Sequence, residues 1–490
     1  MLHYLPFAQP LFKKIHFIGI GGIGMSGIAE ILHHMGYAVQ GSDNATSYVT
    51  DRLQSLGIPV MLGQKEEHVE HATLVVKSTA VRDSNPEIIA AKKRGILIIH
   101  RSDMLAALMQ NKVAISIAGS HGKTTTTSLM AVTASAGNLD PTVVNGGVIA
   151  AYQSNAHLGK GNCIVVEADE SDGSFLRLPR TIAVVTNIDR EHMDYYGDFA
   201  ALYQAFHDFI TGIPFHGFAV LCADHELTAR LASEITTRSI FTYGIDHPAD
   251  VMASDLEPSV TGTYFTVCYS PRFAALCQAE EHRFFLSTPG RHNVLNALSV
   301  ITIAARMGLS VESTHQALSQ FAGVKRRFTC TGEVEGIRVI DDYAHHPKEI
   351  EATLAAARTV ADARKGRVLA IFQPHRYTRM QDLMEEFAQC FSHADMLWIA
   401  DIYSAGEDPI AGISTKALLD KMHAQHASLL PKTGAHFLED LAHMPEMLHG
   451  QAQAGDVVLC MGAGDITKHA YALPHALTAL TTKQSVGAAS

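Results

Sequence analysis

An α/β fold with mainly parallel sheets is what this sequence predicts, and two observations carry it. Three times an apolar, β-rich run leads through a glycine or polar turn into a helical pattern. The runs are continuously apolar, not alternating, as strands covered on both faces must be. The first is Ile15-His16-Phe17-Ile18-Gly19, leading into a helix over Met25–Met35. The second, Val113-Ala114-Ile115-Ser116-Ile117-Ala118, leads into Thr124–Ala136, and the third, Val368-Leu369-Ala370-Ile371-Phe372, is followed after a polar loop by a helix over Asp382–Phe391.

The chain has 490 residues, which at roughly 150 per domain predicts about three domains. Polar stretches at Met109-Gln110-Asn111-Lys112 and Gly323-Val324-Lys325-Arg326-Arg327 place the boundaries, giving domains over residues 1–110, 111–322 and 323–490. Short alternating strands between Gly217 and Leu286 predict a small antiparallel sheet inserted in the middle domain.

With 47% apolar and 18% charged residues the chain can bury several cores. Its 38 basic residues stand against 49 acidic ones, a net charge of −11. That argues against a nucleic-acid protein held by phosphate contacts. Anionic phosphates must then be bound locally, by glycine loops, helix N-termini, a few cations and metal ions. The seven cysteines are scattered without a C-x-x-C pair, which fits reduced thiols in a cytoplasmic protein. The apolar start, Met1 to Lys14, has its lysines after the apolar stretch and no small-residue cleavage site, so no signal peptide is expected. No run of 18 apolar residues predicts a membrane span.

Gly19-Ile20-Gly21-Gly22-Ile23-Gly24 satisfies G-x-G-x-x-G between a strand and a helix, and Asp43 closes the following strand 19 residues after Gly24. Such glycines admit close backbone approach, the helix N-terminus attracts a diphosphate, and the acid takes a ribose hydroxyl. NAD meets these requirements, and so does a UDP-sugar; a ligand-free glycine turn is the plain alternative. Gly119-Ser120-His121-Gly122-Lys123-Thr124-Thr125 is a shortened phosphate loop, lacking a glycine at position 117. Its backbone N–H groups can cradle phosphates, Lys123 can reach the β- and γ-phosphates, and the Thr124 hydroxyl can ligate Mg²⁺. Glu167, at the end of the apolar run Ile164-Val165-Val166, is the first candidate carboxylate for that metal. His192, after the run Ala183-Val184-Val185-Thr186-Asn187, could ligate a second one. Otherwise these acids merely solvate a loop.

Seven segments occur in order: Gly19 to Gly27, Gly119 to Thr125, Glu167 to Phe175, Thr186 to Asp194, Gly290 to Ala297, Asp341 to Pro347 and Phe372 to Arg379. Together they resemble the Mur ligase family, from about Lys13 to about His469. The resemblance implies an N-terminal Rossmann-like domain for a UDP-sugar, a central P-loop-type ATPase domain with a mainly parallel sheet, and a C-terminal Rossmann-like domain. It implies a cytoplasmic ligase of cell-wall synthesis that joins L-alanine to the carboxylate of UDP-N-acetylmuramate through an acyl phosphate. ATP would be the co-substrate, with two Mg²⁺ ions or Mn²⁺ in their place, in a monomer or homodimer, without nucleic acid or membrane.

By the same resemblance Lys123 binds the terminal phosphates, Thr124 and Glu167 the first Mg²⁺, and His192 the second. Asn293 and Asn296 meet the adenine, Asp342 the ATP ribose, and Arg327 the γ-phosphate on domain closure. His345, His346, His375, Arg376 and Arg379 surround the amino acid and the transferred phosphate, with His345 or His346 a candidate base. Gly21, Gly22, Ile23, Gly24, Met25, Ser26, Asp43 and the Ser78-Thr79-Ala80 loop hold the UDP moiety. Several members carry a carbamylated lysine; the corresponding Leu202-Tyr203-Gln204-Ala205 has none, so that modification is not expected. Two other readings stand beside this one: a recycling ligase that attaches whole murein peptides to the same UDP-sugar, and an NAD-dependent oxidoreductase. The segment Glu167 to Asp172 favours the L-alanine reaction over the first; the phosphate loop and its acids are unexplained by the second.

Overall fold

The structure, a computed structural model, describes residues 12–278, 280–425, 431 and 434–487. The apolar start, as far as Leu11, lies outside the described residues. Among those described, no helix is long and apolar enough to cross a membrane. The chain divides into two compact units: residues 1–254, 267–282 and 295–322 form one, and residues 255–266, 283–294 and 323–490 the other.

The first unit opens with a five-stranded sheet: β1 (Ile15–Ile18), β2 (Val39–Asp43), β3 (Val60–Leu62), β4 (Leu74–Lys77) and β5 (Leu97–His100), in the order β3-β2-β1-β4-β5. Every pairing is parallel. All four residues of β1 are buried, which is why three of them are large and apolar and the fourth, His16, has a buried carboxylate beside it. The order reverses beside β1, and in such sheets ligands bind outside the strand ends at the reversal. The glycine loop leaves β1 there and opens helix α1 (Ile23–His34).

Beneath this sheet lies a buried polar knot. Glu87 accepts from Ser42 Oγ at 2.7 Å, its other oxygen lies 2.7 Å from His68 Nδ1, and His16 Nε2 is 3.4 Å away. Burial would raise the Glu87 pKa, but His16, Ser42 and His68 outweigh it and hold it low. A depressed carboxylate contributes stability that is present above its unfolded value and lost as pH falls through its folded one. Because removing one partner strands the others without water, Glu87→Ala is expected to cost about 3 kcal/mol. A lower urea midpoint for the variant checks this; an unchanged midpoint contradicts it.

The second sheet comprises β6 (Val113–Ala118), β7 (Thr142–Ile149), β8 (Ser154–His157), β9 (Cys163–Glu167), β10 (Ile182–Val185), β11 (Phe218–Cys222), β12 (Ser239–Gly244), β13 (Val251–Pro258), β14 (Thr263–Tyr269) and β15 (His282–Leu286). Their order is β15-β14-β13-β12-β11-β10-β6-β9-β7-β8. The stretch from β12 through β7 is parallel, and β8 runs antiparallel to β7. The expected separate sheet between Gly217 and Leu286 is therefore corrected. β11 and β12 belong to the parallel sheet, and β13 to β15 continue it. Helix α2 (Lys123–Ala136) follows β6, again where the strand order reverses, and helix α3 (Arg291–Arg306) follows β15.

The second unit carries a sheet of β16 (Thr329–Val334), β17 (Ile337–Asp342), β18 (Val368–Phe372), β19 (Met396–Ala400), β20 (Ala435–Leu438) and β21 (Val457–Met461), in the order β16-β17-β21-β18-β19-β20. Only β16–β17 is antiparallel. Alternate residues serve two cores: Ile340, Ala370, Phe372 and Leu459 face one, and Val339, Leu369, Ile371 and Val458 the other. This two-sided burial is the reason β18 is apolar throughout. Helix α4 (Pro347–Ala363) covers the first of these cores. The helix expected over Asp382–Phe391 is instead two short ones, Tyr377–Asp382 and Met384–Phe387, broken at Leu383.

Candidate active site

In the first unit the phosphate loop sits between β6 and α2, and its two strained positions explain its glycines. Gly119 has φ 129°, and a Cβ there would strike Thr186; Gly122 has φ 83°, and a Cβ would come within 2.6 Å of Asn296 Oδ1. The Asn296 side chain therefore closes on the loop itself. Loop shape is set by Asn187 and Thr186: Asn187 Oδ1 accepts from His121 N–H at 2.8 Å, and Thr186 Oγ1 donates to His121 O at 2.6 Å. Thr124 and Thr125, which open the helix, are buried.

Lys123 donates to Gly119 O at 2.6 Å and Ser120 O at 3.0 Å, and pairs with Glu170 Oε1 at 2.8 Å. Burial works to lower its pKa, but Glu170, Glu191, Asp169 and Glu167 more than offset this and raise it. One ammonium cannot neutralise four carboxylates, and Glu170 shows the excess. Its carboxyl is pushed up to about 7, by burial first and by Asp169, despite Lys123. Its second oxygen, Oε2, is buried without a hydrogen-bond partner. Glu170, Glu191 and His192 offer ligand atoms that all lie within 4.8 Å of one another. A buried, unpartnered carboxylate oxygen beside an acid and an imidazole, with surplus negative charge, fits a hard divalent cation.

His192, expected at the second ion, belongs to this group; Glu167, expected at the first, does not. Glu167 Oε2 instead accepts from Gly146 N–H at 2.7 Å. Glu170 and Glu191 carried no role in the sequence reading. The signal that could have found Glu170 is the phosphate-loop lysine, which needs a carboxylate when buried without ligand. His121, in turn, lies 3.3 Å from Asp189, which also faces His225 at 3.7 Å. Against the upward push of burial, these two rings hold Asp189 far below the usual carboxylate range.

The residues that the resemblance assigns to the UDP moiety lie at the ends of β1, β2 and β4. Asp43 Oδ2 accepts from Gly21 N–H at 2.9 Å, so the acid also braces the glycine turn. Ser26 donates to Ile23 O, and Met25 is packed in the core. Gly22 is the N-cap of α1, and Thr79 Oγ1, between Ser78 and Ala80, donates to Asp172 at 2.6 Å.

In the second unit Asp342, His345 and His346 lie at the carboxyl end of β17, and His375, Arg376 and Arg379 follow β18, two strands along the same sheet. Asp342, the last residue of β17, accepts from Phe328 N–H and Ala344 N–H, each at 2.7 Å, and burial pushes its carboxyl up to about 6. Arg327 stacks on Tyr343 at 5.2 Å and lies 3.8 Å from Glu349. His345 Nδ1 is 2.9 Å from Tyr343 O, which fixes the proton on Nδ1 and makes Nε2 the basic nitrogen of the neutral ring. His346 caps α4, its Nδ1 accepting from Lys348 N–H at 3.3 Å. The two candidates for a base therefore differ: His346 is committed to the helix end. Asn293 donates to Pro289 O at 2.8 Å, ahead of α3's first turn.

His375 stacks on Tyr403 and meets His345 edge-on at 6.2 Å. Arg379 Nη1 is 3.4 Å from His375 Nδ1, while Arg376, at φ 70°, lies within 4.0 Å of Glu407. Burial first, then the Arg379 and Arg376 guanidinium groups, press the His375 pKa down to about 4. The ring is therefore neutral at neutral pH. An NMR titration of His375 should give a midpoint near 4 that rises in Arg379→Met; an ordinary midpoint of about 6.5 would contradict it.

A phosphate loop at one sheet's reversal, a glycine loop at another's and a histidine–arginine cluster at a third define a nucleotide-dependent enzyme of three α/β domains. Three models of one family match in order: "Mur ligase family, catalytic domain" over residues 14–113, "Mur ligase middle domain" over 117–304 and "Mur ligase, glutamate ligase domain" over 326–464. The chain belongs to the Mur ligase family. It is 48% identical over 468 residues to the UDP-N-acetylmuramate–L-alanine ligase of Caulobacter vibrioides, covering 95% of this chain and 97% of that one. It is 49% identical over 467 residues to the enzyme of the same name from Bradyrhizobium diazoefficiens, covering 95% and 98%. Among solved structures it resembles the UDP-N-acetylmuramate–alanine ligase of Thermotoga maritima, with TM-score 0.78 and 29% identity over 95% of this chain and 99% of that one. A murein peptide ligase from Psychrobacter arcticus follows with TM-score 0.69 and 26% identity, over 95% and 98%.

Proposed function

We propose that this chain catalyses ATP-dependent ligation of L-alanine to the carboxylate of UDP-N-acetylmuramate, a step of peptidoglycan synthesis in the cytoplasm. The observation that carries the reading is Lys123 in a left-handed-glycine phosphate loop, paired with the buried Glu170 beside His192. The difficulty the site must solve is electrostatic. A carboxylate approaching a triphosphate meets about 4 kcal/mol of repulsion per pair of unit charges at ~4 Å and an effective dielectric near ~20. Lys123 and Arg327 supply positive charge for the terminal phosphates, and Mg²⁺, when bound, adds the divalent charge that phosphoryl transfer needs. Glu170, Glu191 and His192 would hold one ion, with Thr124 and Glu167 assigned to the other.

The carboxylate oxygen displaces ADP from the γ-phosphorus, giving an acyl phosphate. The amine of L-alanine then attacks the carbonyl and expels phosphate, which keeps the oxygen that came from the sugar acid. Removal of the amine proton falls to His345, whose tautomer is set by Tyr343 O, and not to His346. Arg376 and Arg379 are assigned to the L-alanine carboxylate, Asn293 and Asn296 to adenine, and Asp342 to the ATP ribose. UDP-N-acetylmuramate labelled with ¹⁸O in its carboxylate is expected to pass an ¹⁸O atom to the released phosphate. Unlabelled phosphate appearing with ADP would overturn the acyl-phosphate step.

A further inference from the structure

The Thr79 loop assigned to the sugar nucleotide touches the acidic segment that follows β9, and one side chain links the glycine loop to the same segment. Arg101 follows β5, at the start of the helix Arg101–Met109. Its Nη1 stands 2.9 Å from where a Cβ on Gly24 would lie, so the glycine at position 24 makes room for the guanidinium. Its Nη2 donates to Asp169 Oδ2 at 2.9 Å and is 4.0 Å from Asp172 Oδ2. Asp169 is the neighbour of Glu170, which holds Lys123. A second link runs in parallel: Thr79 donates to Asp172 at 2.6 Å, with His100 Nε2 3.0 Å from the Thr79 hydroxyl. At the first residue of α1, Ile23 O accepts from Asn155 Nδ2 at 2.7 Å.

We propose that Arg101 is a positioning residue that couples occupancy of the glycine loop to the geometry of the phosphate-loop acids. The physical basis is that a guanidinium has five donors in a rigid fork and can serve an anion on one edge while holding a carboxylate on the other. A diphosphate on the glycine loop lies within the field of Arg101 and draws on the same cation that fixes Asp169. The strand-end segment then responds as a unit, because Asp169, Glu170 and Asp172 are each tied to a different element. This rests on the reading of the glycine loop as the sugar-nucleotide site.

The test compares binding of a non-hydrolysable ATP analogue with Mg²⁺ to the full chain, with and without saturating UDP-N-acetylmuramate. Wild type should bind the analogue about tenfold more tightly when the sugar nucleotide is present. In Arg101→Met that gain should fall to about twofold or less, analogue binding alone should be unchanged, and Arg101→Lys should recover part of the gain. Arg101→Met combined with Asp169→Asn should lose no more coupling than either change alone. An unchanged melting temperature for Arg101→Met and the lysine rescue separate coupling from a folding defect. An undiminished gain in Arg101→Met, or no gain in wild type, overturns the proposal. Failure of UDP-N-acetylmuramate to bind wild type at all would instead overturn the functional reading beneath it.

Discussion

Lys123→Ala is expected to lower kcat by about 10²–10³-fold or more, while UDP-N-acetylmuramate still binds. The magnitude follows from the removal of a preorganised, largely buried charge aimed at developing negative charge. Lys123 is held for this role before any nucleotide arrives, by Gly119 O, Ser120 O and Glu170. Loss of the ammonium also strips Glu170 of its counter-charge. A buried carboxylate so stranded costs about 3–5 kcal/mol if it stays ionised. Glu170, whose carboxyl already sits at about 7, can take up a proton instead. The variant should therefore fold, with only a modest loss in melting temperature. Steady-state kinetics and equilibrium binding of the sugar nucleotide check the two halves separately, and turnover within about tenfold of wild type would remove Lys123 from the transition state.

Glu170→Gln should raise the Mg²⁺ concentration needed for half-maximal activity by about tenfold and lower kcat by about 10². The change keeps the shape of the side chain and removes its charge. In wild type the Glu170 carboxyl titrates near 7, so its charged, cation-binding form grows as pH rises. The apparent Mg²⁺ requirement should accordingly ease from pH 6 to pH 8 in wild type, values that bracket the titration by about one unit each way, and stay flat in Glu170→Gln. An identical Mg²⁺ profile in the two proteins would take Glu170 out of the metal site.

These two residues also mark how far the sequence could be read. Lys123 was legible because a strand, a glycine turn and a helix start impose a local order that one dimension records. Glu170 was not. Glu167, Asp169, Glu170 and Asp172 stand within six residues of a segment with no regular period, and each turns to a different partner: Gly146, Arg101, Lys123 and Thr79. Nothing in their spacing says which acid meets which neighbour, because those neighbours come from four separate stretches of chain. Arg101 was invisible for the same reason, since no motif surrounds it and its importance comes from Gly24 and Asp169 in space. His345 and His346 are adjacent in sequence, and only the cap on α4 distinguishes them. The parallel cores were plain, because two-sided burial forces apolar runs. Strands β14 and β15 were found at their places but grouped in a sheet of their own, because alternation reports one exposed face and not the sheet a strand joins.

The whole scheme depends on a phosphate loop whose lysine and acids serve the joining of a sugar acid to an amine. The most direct test offers the purified chain ATP, Mg²⁺ and UDP-N-acetylmuramate, adds each amino acid in turn, and follows phosphate release together with the mass of the nucleotide product. Phosphate release should depend on the sugar nucleotide and be fastest with L-alanine, with a product heavier than the sugar nucleotide by one alanyl residue. Phosphate release indifferent to UDP-N-acetylmuramate, or a sugar nucleotide recovered at its original mass, would contradict it.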